Sequence, residues 1–301
     1  MSRDWESVFN SWARPLSKTE QTKCENAERM IRKAIKASAD LGSRNIEVFT
    51  QGSYQNNTNV RSDSDVDICI RSMDTVYVDY SFVPAITDED TGLVSSSYTY
   101  AEFKDEVEAA LNDYFGSGTV TRGNKAFDVH ANSYRVDADV VPAFEHRRYS
   151  RGNAGAIFYT SGTEIHPDRG GKIINWPQQN YENGVEKNEV TQRNFKRLVR
   201  IVKNLRNEMA DEAVASANPI PSYLIECLVW NVPNEGFRHS SFVQDVRYVL
   251  AHLFNETRRR ESCDEWGEIN ELKYLFRPSQ PWSLQQVNKF LDDAWNYVGF
   301  D

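Results

Sequence analysis

The chain has 301 residues, of which 40% are hydrophobic, and this is enough to build two packed domains or one large domain. Its net charge of −9 disfavours wrapping by a long nucleic acid, although local basic patches can still bind phosphates. No uncharged apolar stretch approaches the ~20 residues of a membrane span, and the first ten residues carry no apolar signal segment, so we expect a cytosolic protein.

The first residues of the chain predict a helix followed by two short strands. A capping box, SKTE at residues 17–20, begins an amphipathic helix that runs to about residue 39. A short strand is predicted over 47–50 and a strand with strict alternation over 66–70. The polar run 54–64 between them is predicted to be a connection with room for one helical turn.

The middle of the chain predicts a loop, a helix, two strands and an irregular glycine-rich connection. In chain order these are 75–97, 103–114 closed by Gly116, 127–130, 134–141 ended by Pro142, and 145–172. Beyond Pro177 the pattern is helical, with apolar stripes or apolar segments at 195–209, 222–230, 242–254 and 287–298. The sequence therefore predicts an α+β first half and an all-helical second half.

The four cysteines lie far apart, at 24, 69, 227 and 263, with no pair at the spacing of metal ligands. Neither a structural zinc site nor a disulfide framework is expected.

Two acidic side chains share one face of the predicted strand 66–70. Asp65 and Asp67 are two residues apart, so they point the same way, while the alternating apolar residues face the core. Two ionised carboxylates this close repel one another, and a bound cation relieves the repulsion. Magnesium is the predicted ion, with manganese as the alternative; an acidic, solvent-exposed strand face is the structural alternative.

A glycine-serine pair precedes these acids. The strand at 47–50 ends near Gly52 and Ser53, where backbone N–H groups and a hydroxyl can bind a triphosphate beside the metal. Phosphoryl transfer by two metal ions needs a further carboxylate on a neighbouring strand. We assign this place to Asp139, which lies deeper in the apolar end of RVDADVVP, and keep Asp137 as the alternative.

In combination these motifs resemble a known family. The motif of Gly-Ser, a spacer, Asp-apolar-Asp and a distant third Asp is similar to the DNA polymerase β-like nucleotidyltransferases. The longer match, QGSY.N.TN.R.DSDVD with YENG..KN and PSYL.EC, resembles bacterial CD-NTases (cGAS/DncV-like nucleotidyltransferases), and within them clade E. The resemblance implies a polymerase β-like core with a mixed sheet, residues 1–180, and a helical domain, 181–301, that closes the nucleotide cleft; the helix at 18–39 would pack on both lobes.

The resemblance also implies roles for individual residues. Gly52 and Ser53 would hold the donor triphosphate, and Asp65, Asp67 and Asp139 would bind metal and catalyse. Lys203 would contact the triphosphate, and Ser222 and Tyr223 would contact it and stack on the donor base.

From the residues alone, those last three positions have ordinary structural interpretations. Lys203 lies in a basic run typical of a solvated helix face, Ser222 could cap a helix after Pro221, and Tyr223 could be a packing aromatic.

Base choice depends on one further position in the resemblance. Asn175, just before Trp176-Pro177, matches a residue that favours a pyrimidine, because an amide can both donate to and accept from a base edge. A turn residue before proline is the structural alternative.

The implied function is magnesium-dependent synthesis of a cyclic dinucleotide from two nucleoside triphosphates, with UTP as one substrate. The product would contain uridine and activate a separately encoded effector protein in defence against phage, with no membrane or long nucleic acid required. Two alternatives stay open: a linear oligonucleotide synthase or a transferase acting on another acceptor, and a catalytically silent nucleotide sensor. The run 54–64 is either a spacer or a contact to the acceptor nucleotide.

Overall fold

The computed structural model describes residues 3–60, 65–153 and 155–300, which divide into two compact units. The sheet unit comprises the described residues within Ser17–Tyr54 and Ser64–Pro177. The helical unit comprises those within Met1–Leu16, Gln55–Asp63 and Gln178–Asp301. The predicted functional division of the chain at residue 180 stays a prediction.

The elements of the described residues, in chain order, are α1 Trp5–Trp12, α2 Lys18–Ala37, β1 Ile46–Gln51, α3 Gly52–Gln55, β2 Val66–Asp79, α4 Tyr100–Phe115, β3 Val120–Arg122, β4 Phe127–Val129, β5 Ala138–Arg151, β6 Ile157–Ile165, β7 Ile173–Asn175, α5 Pro177–Val190, α6 Asn194–Asp211, α7 Ser222–Trp230, α8 Phe242–Thr257, α9 Arg260–Cys263 and α10 Leu284–Val298. Short 3₁₀ turns lie at Ala215–Ala217 and Asn234–Phe237. The capping box at Ser17 and Glu20 forms at the start of α2, and Gly116 ends α4, so both predicted boundaries are confirmed.

The sheet unit is built on a mixed sheet, which among the described residues has seven strands. The order is β1-β2-β5-β4-β3, and β6 pairs with both β5 and β7. The β2–β5 pair is parallel and the others are antiparallel. Helices α2 and α4 pack on each other and on the sheet. Strands β2 and β5 are thus central, with each flanked by a strand on both sides.

The predicted end of a strand at Pro142 is wrong, because β5 continues through it to Arg151. On one side β5 pairs with β2 along most of its length. On the other side β4 pairs with residues 138–140 and β6 begins to pair only at Phe144. Pro142 therefore lies between the segment of β5 that pairs with β4 and the segment that pairs with β6, where a proline interrupts neither pairing.

Two predicted irregular regions are also strands in part. β2 continues to Asp79 beyond a register shift between Ser72 and Val76, so residues 75–79 are not a loop. Residues 145–151 and 157–165 form the β5–β6 hairpin and not an irregular connection. Both extensions are stabilised by pairing with strands that are distant in the sequence. The local hydrophobic pattern of the sequence does not predict such pairing.

The helical unit has one large apolar core. The predicted stripe on α6 is confirmed, because its six apolar residues are all buried: Phe195, Leu198, Val199, Val202, Leu205 and Met209. They pack in one cluster with buried residues of α7, α8 and α10. At about 1.5–3 kcal/mol for each fully buried large apolar side chain, this cluster dominates the stability of the unit.

All four cysteines are buried and carry free thiols. Among the described residues, no helix is both long and apolar enough to cross a membrane.

Candidate active site

The glycine-serine turn lies directly against one of the predicted catalytic acids. β1 ends at Gln51, which pairs with Asp67 of β2, and the short helix α3 begins at Gly52. Gly52 has a φ of 64°, and a Cβ placed there would collide with the Asp67 carboxylate. Only glycine meets both conditions without strain. The turn and the Asp67 carboxylate therefore lie in direct contact, and their joint role in binding a metal and a triphosphate stays a prediction.

The third carboxylate is brought to the first two by strand register. Asp65 lies immediately before β2, and Asp67 is the second residue of that strand. β5 runs parallel to β2, and Asp139 is the direct partner of Asp67. Residues directly opposite on neighbouring strands place their side chains on the same face. Strand register thus places Asp67 beside Asp139, with Asp65 two residues before Asp67, and the role of these three acids as a metal-binding triad stays a prediction.

Asp139 is surrounded by other acidic side chains, and their negative charge affects its pKa. Burial, a hydrogen bond with Asp128, and the charges of Asp67, Asp128 and Asp65 together raise the pKa of Asp139 to about 7. A carboxyl with this pKa is half-ionised near neutral pH, which suits a group that accepts or positions a hydroxyl proton.

The same group of oxygens fits a divalent cation by its chemistry. Carboxylates that repel one another are what hard cations such as magnesium bind. Among the described residues, no trio of acidic, histidine or cysteine side chains is drawn together around one point. The fit therefore rests on the donor type and on the strand alignment of Asp67 with Asp139.

Asp137, the alternative to Asp139, has a different environment. It precedes β5, its side chain is about half exposed at 53%, and its Oδ1 accepts a hydrogen bond from Ala131 N at 2.7 Å. The Asp137 carboxylate thus caps a turn. The geometry favours Asp139 for the catalytic place.

Asp128 is a neighbour of the site that the sequence analysis missed. It lies on β4, paired with Asp139, so Asp139 has an acid on each side: Asp67 on β2 and Asp128 on β4. The signal was present in Phe127-Asp128-Val129, where both apolar residues are buried and the acid is not. It was missed because β4 has only three residues, and a sequence pattern of that length does not predict which strand β4 pairs with.

The asparagine-rich run after the turn is a buried segment of the helical unit. Its buried members are Asn56, Thr58, Asn59 and Val60. Arg200 of α6 donates to the carbonyls of Ala13 and Asn57, and Lys203 Nζ donates to Thr58 O at 3.1 Å. Two cations of one helix therefore satisfy backbone carbonyls of this run; residues 61–64 lie outside the described part of the chain.

The three helical residues assigned to the nucleotide each have a partner within their own unit. Lys203 is buried, and its Nζ lies 2.5 Å from Glu226 Oε1. Ser222 accepts from Arg206 Nη2 at 2.6 Å; it is the first residue of α7, and the capping position belongs to Pro221. Their contacts with a nucleotide stay predictions.

Tyr223 is held through its hydroxyl, which lies 2.9 Å from Glu268 Oε2 and 3.3 Å from Asn180 Oδ1 and donates its one proton to the shorter of the two contacts. Asn270 Nδ2 in turn lies 3.3 Å from the same hydroxyl. The ring is thereby fixed in orientation, as a stacking platform requires. The stacking role itself stays a prediction.

Asn175 is the last residue of β7 and pairs with Thr163 of β6. Its side chain is half-buried, and among the described residues nothing hydrogen-bonds its amide group. An uncommitted amide can present both a donor and an acceptor to a base edge.

Two family profiles match this chain. Residues 6–156 match the Second Messenger Oligonucleotide or Dinucleotide Synthetase domain. Residues 182–299 match the cGAS/DncV-like nucleotidyltransferase C-terminal helical domain. Together they confirm the predicted fold class, a polymerase β-like core followed by a helical domain.

The chain is also similar to named relatives over almost its whole length. It is 52% identical to the cyclic dipyrimidine nucleotide synthase CdnE of Legionella pneumophila over 99% of both chains. It is 43% identical to the enzyme of the same name from Cecembia lonarensis over 100% of both. The solved structure of the Elizabethkingia meningoseptica CdnE cyclic dinucleotide synthase with GTP and Apcpp is similar with a TM-score of 0.81, at 35% identity, over 98% of this chain and 99% of that chain.

Proposed function

This chain belongs to the cGAS/DncV-like nucleotidyltransferase family, in clade E, and we propose that it joins two nucleoside triphosphates into a cyclic dinucleotide that contains uridine. Membership makes it a nucleotidyltransferase. Each of the two steps forms a phosphodiester between a ribose 3′-hydroxyl of one nucleotide and the α-phosphorus of the other, and each releases pyrophosphate.

One observation carries the proposal: the alignment of Asp67 with Asp139 on parallel strands, with Gly52 against the Asp67 carboxylate. The turn supplies N–H groups at the place where a triphosphate would bind beside the acids. Fixed positioning of the two reacting groups is the larger part of catalysis in phosphoryl transfer.

In this proposal Asp139 accepts the proton of the attacking hydroxyl, because its raised pKa of about 7 suits a general base at neutral pH. Asp65 and Asp67 would hold the divalent ion, magnesium or manganese, together with Asp139. When bound, that ion supplies Lewis-acid stabilisation of the charge on the phosphates and the departing pyrophosphate.

Uridine in the product is supported by two observations. The two curated relatives are named cyclic dipyrimidine nucleotide synthases. In this chain Asn175 has an uncommitted amide at the end of β7, and we assign to it the recognition of a pyrimidine edge. Its N–H donates to a base carbonyl, and its C=O accepts from a base N–H.

The cellular setting is proposed on the family alone. The enzyme would act in the cytoplasm without a membrane or a long nucleic acid, and its product would activate a separately encoded effector in phage defence.

The decisive experiment incubates the purified protein with an equimolar mixture of ATP, GTP, CTP and UTP and identifies products by mass spectrometry. The expected result is a phosphatase-resistant cyclic dinucleotide that contains uridine. A ladder of linear products would favour the oligonucleotide synthase, and turnover only after an acceptor is added would favour a transferase acting on another molecule.

A matched pair of variants separates the two candidate acids. Asp139→Asn is expected to lower turnover at least about a thousandfold, the size of roughly 4 kcal/mol of lost transition-state stabilisation. Asp137→Asn, which changes an exposed carboxylate outside β5, is expected to keep turnover near the parent's. The opposite pattern would exchange the roles of the two residues.

A further inference from the structure

The residue after Asn175 is a fully buried tryptophan that lies across the β5–β6 hairpin. Trp176 has no exposed surface, although it immediately follows the half-buried Asn175. The residue before a proline is restricted to extended backbone, so Pro177 keeps the chain in β conformation here. Asn175 and Trp176 are therefore joined by a single extended peptide step, so a displacement of the Trp176 backbone is expected to displace Asn175.

A missing side chain on β6 makes the space for this indole. Gly162 pairs with His146, so a side chain at either position would lie on the same face of the hairpin. A Cβ built on Gly162 would lie 2.6 Å from Trp176 Cε3 and 2.6 Å from the carbonyl oxygen of Asn175. Both distances are far below van der Waals contact, and one of the atoms is backbone. Any larger residue at 162 would push β7 away from β6 at Asn175 itself.

Side chains of β5 hold the other surfaces of the indole. The guanidinium of Arg148 lies 4.7 Å from the centre of the Trp176 ring, and the His146 ring meets it edge-on at 5.4 Å. Within the described part of the chain, neither Trp176 Nε1 nor His146 Nε2 has a hydrogen-bond partner. The indole is thus fixed by shape and by the cation–π contact and not by a hydrogen bond.

His146 is itself fixed by a buried carboxylate. Its Nδ1 lies 2.7 Å from Glu164 Oε2, and His166 Nε2 lies 2.8 Å from Glu164 Oε1. Glu164 pairs with Ile174, one residue before Asn175. The His146 ring that contacts the indole is therefore held in place by Glu164, and Glu164 lies on the strand that pairs with β7, which carries Asn175.

From these contacts we propose that Trp176, packed over Gly162, is a positioning residue that sets the place of the Asn175 amide and thereby the choice of nucleobase. This inference rests on the proposed role of Asn175. Trp176 touches no reacting atom; it acts by preventing Asn175 from shifting relative to β6. Hydrogen-bond selection between bases requires an amide held to within a fraction of an ångström.

The test measures base preference, as the ratio of kcat/KM for UTP to that for each other triphosphate, together with thermal melting. Asn175→Ala is expected to reduce the preference for UTP about tenfold, because the amide that discriminates between bases is lost. Gly162→Ala is expected to reduce it to a similar degree, mainly through KM for UTP. Trp176→Phe, which keeps an aromatic ring but fills less of the space, is expected to reduce it about threefold.

Two controls make the result specific. Gly118→Ala adds the same methyl group where no atom lies within 4 Å, and it is expected to leave the preference unchanged. In the double variant Gly162→Ala with Asn175→Ala, the loss should equal that of Asn175→Ala alone, because both act through one amide.

The outcomes separate this inference from the proposed function. If Asn175→Ala changes base preference while Gly162→Ala and Trp176→Phe do not, the positioning role is wrong and the proposed function stands. A kcat lowered equally for all four triphosphates in Gly162→Ala, with preference unchanged, also overturns it. If Gly162→Ala does not fold, Trp176→Phe decides. If Asn175→Ala has the parent's preference, the proposed base recognition itself fails.

Discussion

The two units hold their candidate functional residues in different ways. In the sheet unit, backbone register places Asp139 beside Asp67, and a glycine with positive φ admits the Asp67 carboxylate against the turn. In the helical unit, Lys203, Ser222 and Tyr223 are each engaged by a neighbouring side chain. In the sheet unit, strand register holds the Asp67 and Asp139 carboxylates near each other. In the helical unit, hydrogen bonds and an ion pair position Lys203, Ser222 and Tyr223, and these contacts also contribute to stability. The same kind of substitution should therefore affect activity in one unit and stability in the other.

The largest expected effect on stability comes from Lys203→Met. It removes the cation from a pair with both members buried and leaves Glu226 without its partner, which costs about 3–5 kcal/mol in free energy of unfolding. Urea titration measures it. Lys289→Met, at an exposed lysine paired with Asp293, is the matched control and should unfold at the parent's urea concentration. A Lys203→Met protein of unchanged stability that no longer binds nucleotide would instead support the phosphate contact.

Gly52→Ala tests the sheet unit. The added Cβ meets the Asp67 carboxylate, and a displacement of that size lowers turnover about a hundredfold. Gly92→Ala is the control, because Gly92 has a φ of 70° but no atom within 4 Å of an added Cβ. It carries the backbone strain without the collision, so it should lose stability and keep turnover. Equal turnover in the two variants would contradict the close approach of turn and acid.

In the metal-free protein, the titration of Asp139 is expected to change the free energy of unfolding with pH, an effect smaller than that of the substitutions above. The pKa of Asp139 is raised to about 7 from an ordinary value of 3.8, so between these values the folded protein binds more protons than the unfolded chain. Its contribution to stability is therefore present below pH 4 and is lost as pH rises through 7. In EDTA, the difference in unfolding free energy between the parent and Asp139→Asn should shift in favour of the variant from pH 5 to pH 8. A difference independent of pH would show that Asp139 titrates normally.

Tyr223→Phe should have the smallest effect. It removes the hydroxyl bonded to Glu268 and keeps the ring, so about 1 kcal/mol of stability is lost and base stacking is retained. Turnover near the parent's, with Tyr223→Ala inactive but folded, would support stacking. If Tyr223→Phe and Tyr223→Ala lose turnover equally, the hydroxyl and not the ring is what the site uses.

Two parts of the candidate site in the sheet unit could be predicted from the sequence because they depend on local patterns. The i, i+2 spacing of Asp65 and Asp67 and the Gly52-Ser53 turn can be identified from a few consecutive residues. Strand pairing is a long-range property, so the continuation of β5 through Pro142 and the place of Asp128 beside Asp139 could not be derived from spacing. The basic run on α6 was equally ambiguous, since a period identifies the buried face of a helix but not whether a lysine there meets a carboxylate on another helix.

Pro142 has a consequence for errors in strand pairing. A one-residue slip of β5 against its neighbours would turn Asp139 toward the apolar face and replace it with Val140, which is buried. β4 pairs with β5 before Pro142 and β6 pairs with β5 after it, and the proline offers no N–H donor to an extension of either pairing. Pro142 thus separates the β4–β5 pairing from the β5–β6 pairing. Because β4 has only three residues, we expect this limit on its pairing to favour the register that aligns Asp128, Asp139 and Asp67.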